Sequence, residues 1–435
     1  MKIAIIGSGI TGLTSGYRLV KKGASVKIFE KEEEIGGLLS SFKFQNFYLE
    51  RYYHHFFKCD SELIKLIEEL GLKSKVIWKE TKMGFFVDNE VYPFSTPFEL
   101  LKFKPISFFD RIKFGLTILY LQRKKTWEDL ENITAKEWLE KFSGKKTYEL
   151  LWKPLLKIKF GSKFAEKISA AWIWGRVNPR AKSRSKGLMK EELGYLKGGF
   201  KFFLEKIENE IEKENGEILK NKEVKKIEFK KDKVRVFSGG NEYEFDKVIF
   251  TAPNPVLLNL TKLEKKFKEK LQKVKYQSVI CATFLLRESL SDIYWLNISD
   301  EKIPFGGVIE HTNFIPKENY NNFSVVYVFN YIQKESRLYN LTDDRIAKIY
   351  KKGLKKIFPN FNEKIIENVF IHRNEYATPI YVKNYSKIKP NFSTPIKNLF
   401  LANTSMIYPF DRNVNNSVKL GNEIAEICFN SKCHS

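Results

Sequence analysis

The sequence predicts an α/β protein, with a discontinuous parallel-sheet domain and a second domain made of a helical insertion and an antiparallel sheet. Three observations carry this. An apolar run at the start of the 435-residue chain ends abruptly in a glycine-rich turn. From about residue 93 to residue 199 the composition shifts to helical periods heavy in Phe, Trp, Leu and Lys, with prolines at 97, 105, 154 and 179 as punctuation. Residues 276–333 then alternate apolar and polar side chains over several runs, as a half-buried antiparallel sheet does.

Taken in order, residues 3–6 are wholly apolar, as expected of a strand covered on both faces, and stop at Gly7-Ser8-Gly9-Ile10-Thr11-Gly12. A helix follows, with Gly23 placed to cap it, and residues 25–30 form a second strand, completing a βαβ opening. Asp60-Ser61 starts a helix with apolar residues at 63, 64, 66, 67 and 70, closed by Gly71. Beyond the insertion come a helix at 200–214 and strands at 224–229, 233–237 and 248–251, with Gly239-Gly240-Asn241 as the turn between the latter two. A strand at 398–402 and a helix from about 416 to 428 finish the chain.

Lysine and arginine total 76 against 52 aspartates and glutamates, a formal net charge of +24. Such a surplus attracts nucleic acid, anionic lipid or phosphorylated partners. The basic residues are dispersed along every segment and no nucleic-acid module appears, so nucleic acid is not an expected partner. Cysteines at 59, 281, 428 and 433 make no CxxC pair and no metal-ligand spacing with the five histidines, so neither a metal site nor a disulfide framework is expected. The chain enters a strand at once, without a charged leader, and its longest greasy piece, residues 114–121, falls short of the ~18 residues of a spanning helix. The expectation is a cytoplasmic protein. Residues 98–125, where Phe, Leu and Ile mix with seven Lys or Arg, suit either peripheral contact with an anionic membrane face or a packed basic helix pair.

The glycine turn carries the first chemistry, because it follows a strand, opens a helix and precedes an acid at the end of the next strand, a Rossmann-type arrangement. Gly7 allows the tight turn, Gly9 lets a pyrophosphate approach the backbone, and Gly12 lets helix and strand pack closely. The helix start at Ile10 and Thr11 offers N–H groups and partial positive charge to phosphates. Glu30, followed by Lys31, is placed to accept hydrogen bonds from a ribose 2′-hydroxyl, and it would repel a 2′-phosphate.

Gly36-Gly37-Leu38 follows, and with this turn the chain resembles the FAD-dependent amine oxidase superfamily, specifically its protoporphyrinogen-oxidase-like and phytoene-desaturase-like branches. Many members carry arginine where Leu38 stands. The resemblance implies FAD as cofactor. It implies an FAD-binding domain from residues 1–92, 198–275 and 390–435, and a substrate domain from a helical part, 93–197, and a sheet part, 276–389. Val224 and Thr251-Ala252-Pro253 resemble the middle FAD segment, where a valine backbone meets the adenine. Asn403 stands where the group often has an aspartate that meets the phosphate and ribityl chain. Arg412-Asn413-Val414-Asn415-Asn416-Ser417 would lead into a helix whose N-terminus faces the flavin pyrimidine; the family usually shows glycine at the position of Asn413.

In that group the cofactor carries the hydride chemistry while the protein orients the substrate and excludes water. The implied activity is hydride transfer from a medium-sized, partly apolar small molecule to flavin N5. The alternative is a flavin-dependent isomerase like UDP-galactopyranose mutase, suited by the Arg and Tyr content of residues 371–385. His311, after Gly306-Gly307, is either an acid or base whose tautomer Glu310 or Asn313 fixes, or a structural histidine at a strand end. His54-His55, close in sequence to the Gly-Gly turn, is a second candidate beside plain packing. Arg373 and Tyr376 resemble a segment that lines the active site in related flavoenzymes; Arg373 would clamp a carboxylate or diphosphate, or pair with Glu375 or Glu367 at the surface. Trp172, Trp174, Phe160 and Phe164 read as tunnel wall or as ordinary core.

Overall fold

The computed structural model describes residues 1–182, 192–230 and 232–431. Part of the expected helical insertion, 183–191, and Cys433 lie outside the described residues.

The opening strand Lys2–Ile6 lies at the centre of a five-stranded, all-parallel sheet. The spatial order is Glu217–Leu219, Ser25–Phe29, Lys2–Ile6, Lys247–Phe250, Leu399–Leu401. Ile3 and Ile5 are fully buried because helices cover one face: Ile10–Val20, Gly199–Lys213 and the last helix, Val414–Asn430. On the other face a three-stranded antiparallel meander packs Val234, Val236 and Phe245 against Ala4, Ile6 and Phe250. The Gly239-Gly240 turn does not lead directly to the parallel strand. It closes a hairpin between Lys233–Ser238 and Asn241–Phe245, a strand the sequence hid because only Phe245 of its five residues is buried.

The second sheet has seven strands, in the order Ile366–Pro379, Tyr276–Leu286, Ser324–Ile332, Gly307–Glu310, Trp295–Ile298, Met83–Val87, Glu90–Pro93. Its pairings are antiparallel except that of Trp295–Ile298 with Met83–Val87. Met83–Val87 and all but the last residue of Glu90–Pro93 fall inside the 1–92 span expected to belong with the cofactor half. They belong to this sheet instead, because Phe85, Phe86 and Val87 bury themselves there and the first helix of the insertion begins only at Pro97.

From Pro97 to Val177 the insertion is helical, through Pro97–Leu101, Phe108–Arg123, Ala135–Ser143, Lys153–Phe160 and Ala170–Val177, but its expected end is not: Glu192–Leu196 is a strand paired antiparallel with Phe56–Phe57 and Val76–Glu80. Thr134 and Glu137 start the third of these with a capping box, each side chain satisfying the other's backbone N–H. Trp138, Trp152, Trp172 and Trp174 form its core together with Tyr381, Tyr385 and Tyr408 from the rest of the chain. Among the described residues, no helix is long and apolar enough to cross a membrane.

Candidate active site

Two cavities lie where these layers meet. The first, about 600 Å³, follows the carboxyl edge of the parallel sheet, running from Glu30 and Val224 past Gly9 and Ala252 to Arg412 and Ser417. The glycines explain its shape. Gly7 has φ 102°, and a Cβ there would stand 2.9 Å from the Thr251 hydroxyl. A Cβ on Gly12 would stand 2.1 Å from the Gly7 carbonyl oxygen, so only glycine lets the helix start so close to the strand end. A Cβ on Gly9 would meet nothing within 4 Å, which leaves open space over an N-terminus that no side chain caps. Gly36 and Gly37, at φ 106° and 58°, fold the following turn against this loop; Gly36 N–H donates to the Ser8 carbonyl at 2.9 Å.

Glu30 is fixed in place. One carboxylate oxygen accepts from the Ser8 N–H at 2.9 Å and the Ser8 hydroxyl at 2.6 Å, and the other accepts from the Glu32 N–H at 3.0 Å.

The second cavity, about 500 Å³, lies between the helical insertion and the seven-stranded sheet. Trp152, Trp172 and Trp295 give it an aromatic wall, with Tyr53 and Tyr331 beside Lys159 and Arg176. Asp411 bridges those two cations, at 3.2 Å from Lys159 and 2.6 Å from Arg176. Burial would raise its pKa, but the two cations outweigh burial and hold the carboxyl far below the usual range, ionised. Both cavities are lined by His54, Arg412, Asn413 and Val414, so a molecule in one faces a molecule in the other across these residues.

A model of flavin-containing amine oxidoreductases matches residues 10–425. The chain belongs to that family. It is 26% identical over 289 residues to coproporphyrinogen III oxidase of Staphylococcus aureus, a match covering 59% of this chain and 61% of that protein. It is 51% identical over 47 residues to 4,4'-diapophytoene desaturase of Staphylococcus haemolyticus, 11% of this chain and 9% of that one. The chain therefore matches less than two thirds of the length of these curated relatives. Among solved structures, a putative protoporphyrinogen oxidase from Exiguobacterium superposes with TM-score 0.75 at 17% identity over 98% of each chain. Putrescine oxidase superposes with TM-score 0.74 at 16% identity over 99% of each chain. Those two establish the fold.

This amine oxidoreductase is an FAD-dependent enzyme, and the first cavity fits the cofactor. The open cradle at Gly9 and the uncapped N–H groups of Ile10 and Thr11 suit the pyrophosphate, Glu30 the adenosine ribose, and Val224 and Ala252 line the wall between them. Bound there, FAD supplies a two-electron acceptor. Lys31, Gly36, Gly37, Leu38, Asn403, Arg412 and Ser417 also line this cavity, while Gly12 packs behind the loop. The Asn403 side chain is taken up by the protein: its amide donates to Ala252 and Asn254, and its oxygen accepts from the N–H and hydroxyl of Ser405.

Asn415 and Asn416 do not line the FAD cavity. The last helix of this oxidoreductase starts at Val414, two residues earlier than expected, and carries both side chains toward the second cavity. The Asn415 oxygen accepts from the N–H groups of Glu62 and Leu63 at 2.9 and 3.1 Å, capping the helix Ser61–Glu69. Asn416 donates to the Asp411 carbonyl at 3.0 Å. Asn413 needs no glycine-like conformation: at φ −147° it is extended, and its side chain caps the last helix by accepting from the Asn416 N–H.

His311 and Glu310 line neither cavity. His311 is 1% exposed, sealed beside Tyr195 with its Nε2 2.8 Å from the Tyr320 hydroxyl, and burial brings its pKa down to about 3. The Glu310 carboxylate accepts from the N–H groups of Leu290 and Ser291 at 3.0 and 2.9 Å and pins that loop; burial pushes its pKa up to about 7. The preceding glycine pair marks packing, since a Cβ on Gly306 would strike Ile158 and one on Gly307 would strike Phe329.

Arg373 and Tyr376 border the FAD cavity, not the second one. The Arg373 guanidinium is fastened to Tyr339 and Leu341 carbonyls and to Asp343 at 2.6 Å, not to Glu375 or Glu367. Tyr376 packs edge-on against Tyr276, 5.5 Å between centres. His54 sits at the junction with its Nδ1 2.7 Å from the Tyr52 carbonyl, and His55 lines the second cavity. Burial, helped by Arg412 for His54 and by Arg180 for His55, lowers both to about 3, so both are neutral. Of the four aromatic candidates only Trp172 lines the cavity; Phe160 is fully buried against it at 4.7 Å. Sequence reasoning missed Tyr53, Tyr331, Lys159, Arg176 and Asp411, which come from separated segments with no shared spacing.

Proposed function

We propose that this oxidoreductase takes a medium-sized, partly apolar small molecule into the second cavity, and that the substrate gives up a hydride to flavin N5 across the junction at His54, Arg412, Asn413 and Val414. The supporting observation is that these four residues line both cavities. The aromatic wall would hold the apolar body, and Lys159 and Arg176 would orient its polar end. The two named relatives make coproporphyrinogen III and 4,4'-diapophytoene the first compounds to assay. The test is anaerobic mixing with the FAD-loaded enzyme. The correct substrate bleaches the flavin absorbance, and Leu155→Trp, which fills the second cavity without touching the first, abolishes bleaching while FAD stays bound. Undiminished bleaching in that variant would place the substrate elsewhere. The isomerase alternative leaned on the arginine and tyrosine content of residues 371–385 and on the positive charge; the arginine of that segment, Arg373, has its guanidinium committed to Tyr339, Leu341 and Asp343.

We further infer that the enzyme rests on an anionic membrane face through the helix Phe108–Arg123. Phe108, Ile112, Leu116 and Tyr120 recur every fourth residue and are exposed, Leu116 by 61% and the adjoining Phe109 by 78%. Lys102, Lys104, Lys113, Arg123 and Lys125, in and beside this helix, are exposed as well, and each adds about 1 kcal/mol of attraction to an anionic surface. Vesicles of phosphatidylcholine with phosphatidylglycerol should float the protein at low salt and release it at high salt. The double variant Phe109→Ser, Leu116→Ser should stay in solution. Equal flotation of variant and parent, or equal binding to neutral vesicles, excludes this surface.

A further inference from the structure

Tyr331 belongs to the strand Ser324–Ile332 and forms part of the wall of the second cavity. Its oxygen accepts a hydrogen bond from Nη2 of Arg412 at 3.1 Å, and Tyr53 lines the same cavity. Nζ of Lys159 lies 5.1 Å from the centre of its ring. A phenol oxygen can accept as well as donate, and the donor it faces here is a guanidinium. The nearby charge is unbalanced as well. Lys159 and Arg176 share the one carboxylate of Asp411, and Arg412 turns to the phenol.

We propose that Tyr331 is the proton acceptor of the substrate cavity, a phenolate held by Arg412 and Lys159 that takes the proton released as the substrate is oxidised. This rests on the assignment of the second cavity to the substrate. In balance, a substrate C–H bond breaks and its electron pair leaves as hydride to the FAD of this family. An N–H or C–H bond on the neighbouring atom breaks, and its proton passes to the Tyr331 oxygen. A double bond forms between the two substrate atoms, and the phenolate becomes a phenol.

The other groups around Tyr331 leave this role to it. Asp411, before the last helix, is ionised but spent on Lys159 and Arg176. His54 and His55 are too weak as bases, and burial keeps the Cys281 thiol of the neighbouring strand protonated. Tyr53 keeps its proton, since burial and the adjacent Tyr331 charge both oppose losing it. Burial alone would raise the Tyr331 pKa; Lys159, Arg412 and the Tyr53 hydroxyl together bring it below the ordinary tyrosine value.

The test titrates FAD-loaded parent and variants at 295 nm, where tyrosinate absorbs. The parent should show a tyrosinate step below the ordinary tyrosine range, and Tyr331→Phe should lack it. Lys159→Met, which keeps the phenol and removes the cation over its ring, should move the step upward. Identical curves for parent and Tyr331→Phe overturn the proposal, as does a Lys159→Met step that stays in place. Because the measurement needs no substrate, its failure is separable from failure of the cavity assignment.

Discussion

Replacing Gly12 with alanine probes how the first helix sets the phosphate loop. The new methyl carbon would stand 2.1 Å from the Gly7 carbonyl oxygen and 3.1 Å from the Thr251 hydroxyl. Ordinary contact begins at 3.4 Å, so the helix start must draw back from Gly7 by about 1.3 Å. No rotamer change relieves a clash with a carbonyl, and overpacking of this kind costs about 1–3 kcal/mol. The same displacement carries Gly9 and the uncapped N–H groups of Ile10 and Thr11 away from where a pyrophosphate would bind. FAD affinity should therefore fall at least about tenfold, or about 1.4 kcal/mol. Titration of the apoprotein with FAD, followed by quenching of flavin fluorescence, measures the loss; thermal melts without FAD measure the strain. A Gly12→Ala protein that melts with the parent and keeps its Kd would show that the helix and strand do not need their close approach.

Glu30→Ala orphans the buried donors of Ser8 and Glu32 and removes the acceptor placed for a ribose, so the protein without FAD should lose about 1–3 kcal/mol of stability and FAD affinity should drop about 10- to 100-fold; an unchanged FAD affinity would remove the ribose role. Gly115→Ala, in the exposed basic helix, would place a Cβ no nearer than 3.8 Å to Leu100, and should stabilise by about 0.5–1 kcal/mol with unchanged FAD binding. Burial lowers His54, His55 and His311 to about 3 in the fold against 6.5 for an ordinary histidine, so the unfolded chain binds protons first. Their contribution is full above pH 6.5 and is lost toward pH 3, at up to about 1.4 kcal/mol per pH unit for each imidazole. Urea melts between pH 7 and 4 should show this limb. His311→Gln, which keeps a partner for Tyr320, should flatten it by one imidazole and leave FAD binding intact; an unchanged slope would mean that His311 does not stay neutral in the folded protein.

The cofactor half was legible because its chemistry is local. A phosphate loop needs glycine at fixed offsets, and the positive φ of Gly7, Gly36 and Gly37 and the tight approach of Gly12 are constraints that nearly no other residue meets. The same logic misled at Gly306-Gly307, where the close neighbours are Ile158 and Phe329 rather than a ligand. Glycine signals a close approach and is silent about what approaches. The Asn241–Phe245 strand was hidden because it buries one residue of five, and the sheet of Met83–Val87 for another reason: a strand's sheet is decided by its partners, and Met83–Val87 pairs with residues more than two hundred positions later.

The substrate side was illegible for a physical reason that also bears on how the enzyme divides its work. FAD supplies the electron acceptor, so the protein needs no nucleophile or metal cluster with a spacing to read. What the proposed reaction needs is an enclosed junction and a place for one proton, and these require only that distant segments converge. Tyr53 follows the Gly-Gly turn, Lys159 ends an insertion helix, Tyr331 lies in the antiparallel sheet and Arg412 precedes the last helix. The histidines that drew attention are the residues burial has made least able to accept a proton at neutral pH. A tyrosine flanked by a guanidinium and an ammonium has the opposite balance, because the charges that burial makes costly stabilise one another there. Proton handling thus follows where the fold concentrates positive charge, and residue type alone would have sent it to His311.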